Sequence, residues 1–220
     1  MSIAENLKKI QEKLPNHVHL VAVSKTKPVE DIKEAYNAGQ RIFGENKIQE
    51  MTDKWQQLPK DIQWHMIGHV QTNKVKYMAP YVQLIHGVDS LKLLIEINKQ
   101  AKKWRRVIPC LLQVYIASEE TKFGLDQEEL LQIIHSEEFK SLENIKVIGL
   151  MGMASFSDNK NVIEKEFTTL KHIFDYVQPY QLPNCHFQHL SMGMSGDYEI
   201  AIECGSTLVR IGSSIFGSRS

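Results

Sequence analysis

The segment HFQHLSMGMSGDYEIAIECGSTLVRIGSSIF (186–216) contains the unit from which the chain is built. Two apolar runs, HFQHLSM from His186 and LVRIGSSIF from Leu208, enclose a stretch that predicts a helix from about Tyr198 to Glu203. An apolar run followed by a helix and another apolar run is typical of α/β proteins, in which helices connect parallel strands. The segment therefore predicts a strand–helix–strand unit.

The same alternation recurs through the sequence. With the two runs above, the sequence contains eight such apolar runs. The other six are VHLVAVSK from Val18, RIFGE from Arg41, IQWHMIG from Ile62, QLIHGVD from Gln83, PCLLQVYIA from Pro109 and KVIGLMGM from Lys146. Several are apolar at nearly every position, as parallel strands buried on both faces should be. Eight units in 220 residues predict an α/β fold, a (β/α)8 TIM barrel forming a single domain over residues 1–220. A doubly wound open sheet is the alternative, but no GxGxxG follows the first run and no GxxxxGK[ST] occurs.

The segments between the runs carry helix signals. Pro28 and Gly39 delimit one helix, because proline suits the first turn of a helix and glycine its end. Ser90 is an N-cap residue for another helix. Two further stretches, 126–136 and 161–176, have the spacing of amphipathic helices.

The amino-terminal stretch from Ile3 to Leu14 also predicts a helix. The last run ends only a few residues before Ser220, which leaves no room for a helix after the last strand. We therefore expect the extra amino-terminal helix to fill that gap in the outer ring of the barrel.

Composition and charge exclude several classes of protein. Lys and Arg number 26 against 26 Asp and Glu, so the chain lacks the basic excess that nucleic-acid binding needs. No apolar run approaches the roughly 20 residues that span a bilayer, and the first residues do not resemble a signal peptide. Cys110, Cys185 and Cys204 form no CxxC pair, which fits a reducing compartment. We expect a cytoplasmic monomer that binds neither nucleic acid nor membrane.

Lys25 closes the first apolar run, and TIM barrels carry their active sites at the carboxyl ends of the strands. Desolvation lowers the pKa of a lysine, and a neutral amine can form a Schiff base with a carbonyl compound. Lys25 could instead reach the barrel rim or pair with a carboxylate such as Glu45. Lys27 is a competitor that strand alternation separates only weakly from Lys25. We favour Lys25 because it should lie within the strand, whereas residues 26–28 should form a loop.

Small and hydroxyl residues follow the last two runs, in SMGMSGD (191–197) and RIGSS (210–214). Such residues let backbone N–H groups approach an anion, and the loops after the last two strands of TIM barrels often bind phosphate. Each cluster alone would be ordinary turn chemistry. Together they predict a phosphate site beside Lys25 across the closed barrel. An aldehyde and a phosphate on one ligand suggest pyridoxal 5′-phosphate (PLP), with another phosphorylated metabolite as an alternative.

Six segments carry a family resemblance: VAVSKTKP (21–28), FGEN (43–46), WHMIGHVQTNK (64–74), KFG (122–124), GLMGM (149–153) and LSMGMSGDYEIAIECGSTLVRIGSSIFG (190–217). In this order they resemble the PLP-binding homeostasis proteins, the YggS/PROSC family. The resemblance implies a single-domain barrel of the alanine-racemase type (fold type III) that holds PLP as an internal aldimine. It further implies intracellular storage of PLP, delivery to apo-enzymes and a role in amino-acid balance, without an established turnover.

The resemblance also assigns cofactor contacts to six residues. The first lysine of SKTKP, Lys25, carries PLP as a Schiff base, and Arg210 approaches the pyridine nitrogen. The remaining contacts are Ser195, Gly212 and Ser213 for the phosphate and Asn46 for the edge of the cofactor.

Arg210 favours a carrier over an enzyme. A guanidinium beside the pyridine nitrogen disfavours its protonation, so PLP would be a weak electron sink, which argues against aminotransferase chemistry. A PLP-dependent amino-acid racemase is the alternative, because it needs a weaker sink and two opposed bases, of which Lys25 could be one. In the alanine racemases, to which the resemblance also points, the second base comes from an added β-domain of the dimer partner. This chain has no residues left to form such a domain. None of four tyrosines is a convincing substitute: Tyr77, Tyr81, Tyr115 and Tyr198.

The remaining polar signals are weak. His65 and His69 stand four residues apart but straddle a strand end and a loop, so we expect no metal site. Four residues follow strands at the active face and could order loops over the site, without a role that the sequence defines: Gln71, Asn73, Lys74 and Lys122.

Overall fold

The eight predicted strands close into a parallel barrel. The computed structural model describes residues 2–118 and 123–217. Its barrel strands are β1 (His19–Val23), β2 (Ile42–Glu45), β3 (Gln63–Met66), β4 (Leu84–Val88), β5 (Ile108–Gln113), β6 (Ile145–Met151), β8 (Cys185–Met194) and β9 (Leu208–Ile211). Consecutive barrel strands pair in parallel, β6 pairs with β8, and β9 pairs with β1. The predicted TIM barrel is confirmed, and the open sheet was the wrong alternative.

One strand of the sheet lies outside the barrel. The two-residue strand β7 (Gln181–Leu182) pairs antiparallel with β8 and forms a hairpin that the sequence analysis did not predict. Two residues are too short a run to show strand periodicity, so no local signal was present.

Helices surround the barrel. They are α1 (Ile3–Lys13), α2 (Val29–Asn37), α3 (Ile48–Gln57), α4 (Val75–Met78), α5 (Leu91–Lys103), α6 (Gln127–His135), α7 (Glu137–Lys140), α8 (Lys160–Val177), α9 (Tyr198–Glu203) and α10 (Ser213–Phe216). A single 3₁₀ turn, Thr72–Lys74, precedes α4. The predicted helices correspond to α1, α2, α5, α6, α8 and α9, with bounds that agree within one or two residues.

Caps explain why these helices begin and end where they do. The Ser90 hydroxyl accepts a hydrogen bond from the Leu93 N–H at the start of α5. At the start of α6, Asp126 and Glu129 form a capping box, in which each side chain accepts from the backbone of the other. Gly39 has a φ of +102° after α2, a conformation that glycine adopts without strain.

The amino-terminal helix fills the predicted gap in the outer ring. The Ala4 N–H donates to Glu34 on α2, and Asn6 Nδ2 donates to the carbonyl of Ile215 on α10. The prediction that no helix follows the last strand is wrong, because the one-turn helix α10 lies between β9 and residue 217. Four residues are enough for one turn, and α1 packs beside it.

The barrel interior is arranged in layers. Side chains of alternate strand residues point inward, and five of them pack into an apolar cluster: Val21, Leu84, Leu111, Met151 and Leu208. Two residues further along β1, β5 and β9, the inward residues Val23, Gln113 and Arg210 line a cavity. The apolar cluster therefore forms a floor below that cavity.

Within residues 2–118 and 123–217, no helix combines the length and apolar character that a membrane span requires.

Replacing Gly149 with alanine should open the barrel between β6 and β8. A Cβ at this position would overlap the backbone carbonyl of His189, with which Gly149 is paired in the sheet. We expect the free energy of unfolding, measured by urea denaturation, to fall by about 3 kcal/mol or more. Gly196→Ala is the control, because a Cβ there meets no atom within 4 Å. Equal losses in the two variants would contradict this account of barrel closure.

Candidate functional site

A cavity of about 570 Å³ opens at the carboxyl ends of the barrel strands. Its wall includes turns that follow β1, β2, β3, β8 and β9, so residues far apart in sequence meet there. All six residues that the sequence analysis selected line it: Lys25, Asn46, Ser195, Arg210, Gly212 and Ser213. The structure thus brings these residues together, and their contacts with a cofactor stay predictions.

Lys25 lies in the turn after β1 and not within the strand. The strand ends at Val23, and Lys25 and Thr26 form the turn that follows. Our reason for favouring Lys25, that it lies in the strand, was therefore wrong. The backbone pairing of β1 with β2 ends at the hydrogen bond from the Ser24 N–H to the Gly44 carbonyl, one residue before Lys25. Lys25 and Lys27 are both half-buried and both line the cavity, so position alone does not separate them.

Glu45, considered above as a partner for Lys25, is a buried residue at the end of β2. Its Oε1 accepts hydrogen bonds from Ser24 Oγ at 2.6 Å and from Lys54 Nζ at 2.7 Å. Burial raises the pKa of Glu45 to about 7, against the opposing effect of Lys54. The sequence analysis missed Lys54, although Glu50 and Lys54 have the i,i+4 spacing of an ion pair on a helix.

Ser195 and Gly212 connect the two loops predicted to hold phosphate. The Gly212 N–H donates to Ser195 Oγ at 3.2 Å, which joins the turn after β8 to the turn after β9. Gly212 also lies against β1, since a Cβ there would be 3.1 Å from the Val23 carbonyl oxygen. Ser213 begins α10, and the first N–H groups of a helix have no partner within it. This wall of the cavity can therefore donate several hydrogen bonds to an anion.

Arg210 is a buried cation in the cavity wall. Its side chain is 4% exposed, and Nη2 donates to the Gly152 carbonyl at 2.9 Å. Within the described residues Nη1 has no hydrogen-bond partner. Burial lowers the pKa of Arg210 to about 10, whereas the charge of Asp197 raises it, so the guanidinium is charged at neutral pH. Arg210 therefore has a donor left for a ligand.

The outer part of the cavity is apolar and aromatic. The Phe123 ring stacks on His69 with centroids 4.8 Å apart, and His69 Nδ1 lies 3.5 Å from Asp89 Oδ2. Phe156 is 98% exposed at the rim. Five apolar lining residues were not selected from the sequence, because an apolar side chain by itself gives no chemical signal: Ile67, Phe123, Met153, Phe156 and Met194.

A chain of buried hydrogen bonds crosses the barrel interior. His65 Nδ1 lies 3.0 Å from His86 Nε2, and His86 Nδ1 lies 2.8 Å from Ser191 Oγ. Burial lowers the pKa of His65 to about 3 and the pKa of His86 as well, so both rings are neutral at neutral pH. His65 and His69 thus point to different places, the interior and the rim.

Three of the four residues left without a role lie apart from the cavity. Gln71, Asn73 and Lys74 are exposed in and beside the 3₁₀ turn, and none lines the cavity. Lys122 lies outside the described residues. No tyrosine is among the described residues that line the cavity. Tyr81, for example, stacks on Trp55 outside the barrel.

Comparison with known proteins points to one family. The chain matches the family described as alanine racemase, N-terminal domain, over residues 1–220. It is 40% identical over 230 residues to the pyridoxal phosphate homeostasis protein of Aquifex aeolicus, covering 100% of this chain and 99% of that protein.

Solved structures agree with this relationship. PipY of Synechococcus elongatus without PLP superposes with a TM-score of 0.91 at 34% identity, over 98% of this chain and 100% of that chain. The structure of PipY with PLP bound gives a TM-score of 0.88 at 33% identity, with the same coverage. An alanine racemase from E. faecalis gives a TM-score of 0.73 at 16% identity, over 99% of this chain and 58% of that chain, a likeness that shows the fold alone.

Acid should destabilise the protein partly through His65. The unfolded state takes up a proton on this side chain below about pH 6.5, whereas the folded state keeps it neutral down to about pH 3. The stability that His65 contributes is therefore complete above pH 6.5 and lost as the pH falls toward 3. His65→Gln should flatten the dependence of unfolding free energy on pH by up to about 1.4 kcal/mol per pH unit, measured by urea denaturation.

The matched control is His17→Gln, because His17 is exposed. It should leave the wild-type slope unchanged. Parallel curves for His65→Gln and the wild type would contradict the assignment of His65 as a neutral interior group.

Proposed function

The chain belongs to the pyridoxal phosphate homeostasis proteins of the alanine racemase N-terminal domain family, and we propose that it holds PLP on Lys25. Its role is intracellular PLP homeostasis, through storage of the cofactor and delivery to apo-enzymes, with an effect on amino-acid balance. The observation that carries the proposal is that one cavity is lined by the buried Arg210, by Lys25 and by the joined Ser195 and Gly212 turns.

The cavity has the donors that PLP needs. Ser195, Gly212 and Ser213 would hold the phosphate, because hydroxyl and backbone N–H groups meet there next to the start of α10. Arg210 would face the pyridine nitrogen and, being charged, would keep that nitrogen unprotonated. Asn46 would lie at the edge of the cofactor.

Lys25 is the residue that would hold the cofactor covalently. When bound, PLP supplies an aldehyde that condenses with a lysine amine and releases one water. Lys25 is the first lysine of the SKTKP motif, to which the family resemblance assigns the Schiff base, and this supports it over Lys27. Its side chain is half-buried, so the amine can be partly desolvated.

The cellular setting is also part of the proposal. We propose a single PLP-binding domain that acts as a monomer in the cytoplasm and has apo-enzymes as its partners. Cys110 and Cys185 are buried free thiols, and Cys204 is a partly exposed one, which suits a reducing compartment.

The protein should carry PLP without turning it over. Proton abstraction of the racemase type needs two opposed bases, and the described lining residues offer Lys25 but no tyrosine opposite it. An Arg210 contact would further weaken the electron-withdrawing power of the ring.

Loading with PLP should produce an absorption band near the edge of the visible range, and borohydride should remove this band by reducing the aldimine and so fix the cofactor on Lys25. We expect the intact mass to increase by one reduced cofactor, and peptide mapping to locate it on Lys25. Lys25→Ala should lose both the band and the trapped cofactor, whereas the matched variant Lys27→Ala should retain both. Label on Lys27 in the wild type would overturn the assignment, and a colourless protein without modification would favour another phosphorylated ligand.

A different measurement distinguishes the proposed carrier from the racemase alternative. The purified holo-protein, incubated with L-amino acids in heavy water, should show no sustained deuterium exchange at Cα, because a second base is missing. Chirality and deuterium content are followed by NMR and mass spectrometry, with protein reduced by borohydride as the background control. Sustained exchange that disappears after reduction would favour the racemase.

A further inference from the structure

A buried ammonium group lies behind the turn that carries Lys25. Lys54, on α3, is 5% exposed. Its Nζ donates at 2.7 Å to each of three oxygens, the Ser24 carbonyl, Glu45 Oε1 and Glu50 Oε1. An ammonium has three N–H donors, so this one is fully used. Lys54 thereby connects the ends of β1 and β2 to α3.

The same cluster fixes both neighbours of Lys25 in the chain. On one side, the Ser24 carbonyl accepts from Lys54, and Ser24 Oγ donates to Glu45 at 2.6 Å. On the other side, the Thr26 N–H donates to Glu50 Oε1 at 2.6 Å. Because the backbone is held immediately before and after Lys25, the direction in which its side chain leaves the backbone is also fixed.

Thr26 adopts a conformation that needs such support. Its φ is +64°, in the left-handed region, where a β-branched residue is strongly disfavoured. Strain of this kind persists where surrounding contacts enforce it. The turn is closed by a hydrogen bond from the Lys27 N–H to the Ser24 carbonyl at 3.0 Å. Glu50 holds Thr26 from outside the turn.

Stability does not explain why charged groups are buried here. Replacing a buried ion pair by apolar residues is often neutral or stabilising, because desolvation offsets much of the attraction. The desolvation is visible in Glu45, whose pKa is raised by burial and whose Oε2 has no hydrogen-bond partner among the described residues. What the cluster does supply is a fixed backbone geometry around Lys25.

We propose that Lys54 and Glu50 are positioning residues that direct Lys25, and not Lys27, toward the aldehyde of PLP. Neither residue lines the cavity, so both act through the turn formed by residues 24–27. In the step they serve, the neutral Lys25 amine adds to the aldehyde carbon, and its two protons leave with the aldehyde oxygen as water. A carbon–nitrogen double bond replaces the carbon–oxygen double bond. The proposal rests on the proposed function, since it assumes that PLP reacts with Lys25.

Glu50→Ala is the main test, because Glu50 is partly exposed and its loss should be tolerated by the fold. Full-length apo-protein is mixed with saturating PLP, and the absorption band is followed by stopped flow. Borohydride then fixes the adduct, and peptide mapping gives the ratio of label on Lys25 to label on Lys27. We expect the rate of reaction at Lys25 to fall about 10-fold or more, with a larger share of label on Lys27.

Three further variants test whether the effect depends on the contacts of Glu50 and Lys54 with the turn that carries Lys25. Asp53→Ala removes an exposed carboxylate from the same helix and should react as the wild type does. Glu50→Gln keeps an oxygen that can accept from Thr26 and should recover most of the rate. Lys54→Met should show the largest effect if it folds, which circular dichroism checks.

The outcomes separate the positioning role from the proposed function. If the wild type carries no label on Lys25, the proposed function itself fails. If the wild type is labelled there and Glu50→Ala keeps the wild-type rate and label ratio, the positioning role fails alone. A loss of stability without any change in rate or ratio would likewise overturn it, since that is the behaviour of a purely structural cluster.

Discussion

The parallel pairing of β9 with β1 is the contact on which the site depends. Four residue pairs, from His19–Leu208 to Ala22–Ile211, join the last strand of the barrel to the first. Because the strands run in the same direction, their carboxyl ends lie side by side, and the turns that follow meet at one edge of the barrel. Lys25 and Gly212 are therefore neighbours although nearly the whole chain separates them. Without this closure, neither turn would face an enclosed cavity.

The interior of the barrel contains both an apolar cluster and buried polar groups. Its floor is an apolar cluster, whereas the rest of the interior contains the neutral His65–His86–Ser191 chain and the buried Arg210 guanidinium. Burying these polar groups is tolerable because the histidines and Ser191 bond to one another and Arg210 bonds to the Gly152 carbonyl. Arg210 Nη1 is an exception within the described residues, on a side chain that lines the cavity.

The sequence predicted most of the barrel because strand and helix periodicity are local properties. Apolar runs and caps such as Ser90 and Asp126 can be recognised within a few residues. The six candidate site residues could be selected because strand ends are recognisable and because a family resemblance pointed to them. What the sequence could not reveal depends on contacts between distant segments. Lys54 illustrates this limit, since its spacing to Glu50 indicated an ordinary surface pair, and only the fold buries it against Ser24.

The apolar floor has a consequence for exchange of the cofactor. Since side chains fill the barrel below the cavity, a ligand enters and leaves through the aromatic rim around Phe123 and Phe156. Entry and departure then use the same side of the barrel, so a bound ligand leaves before another can take its place.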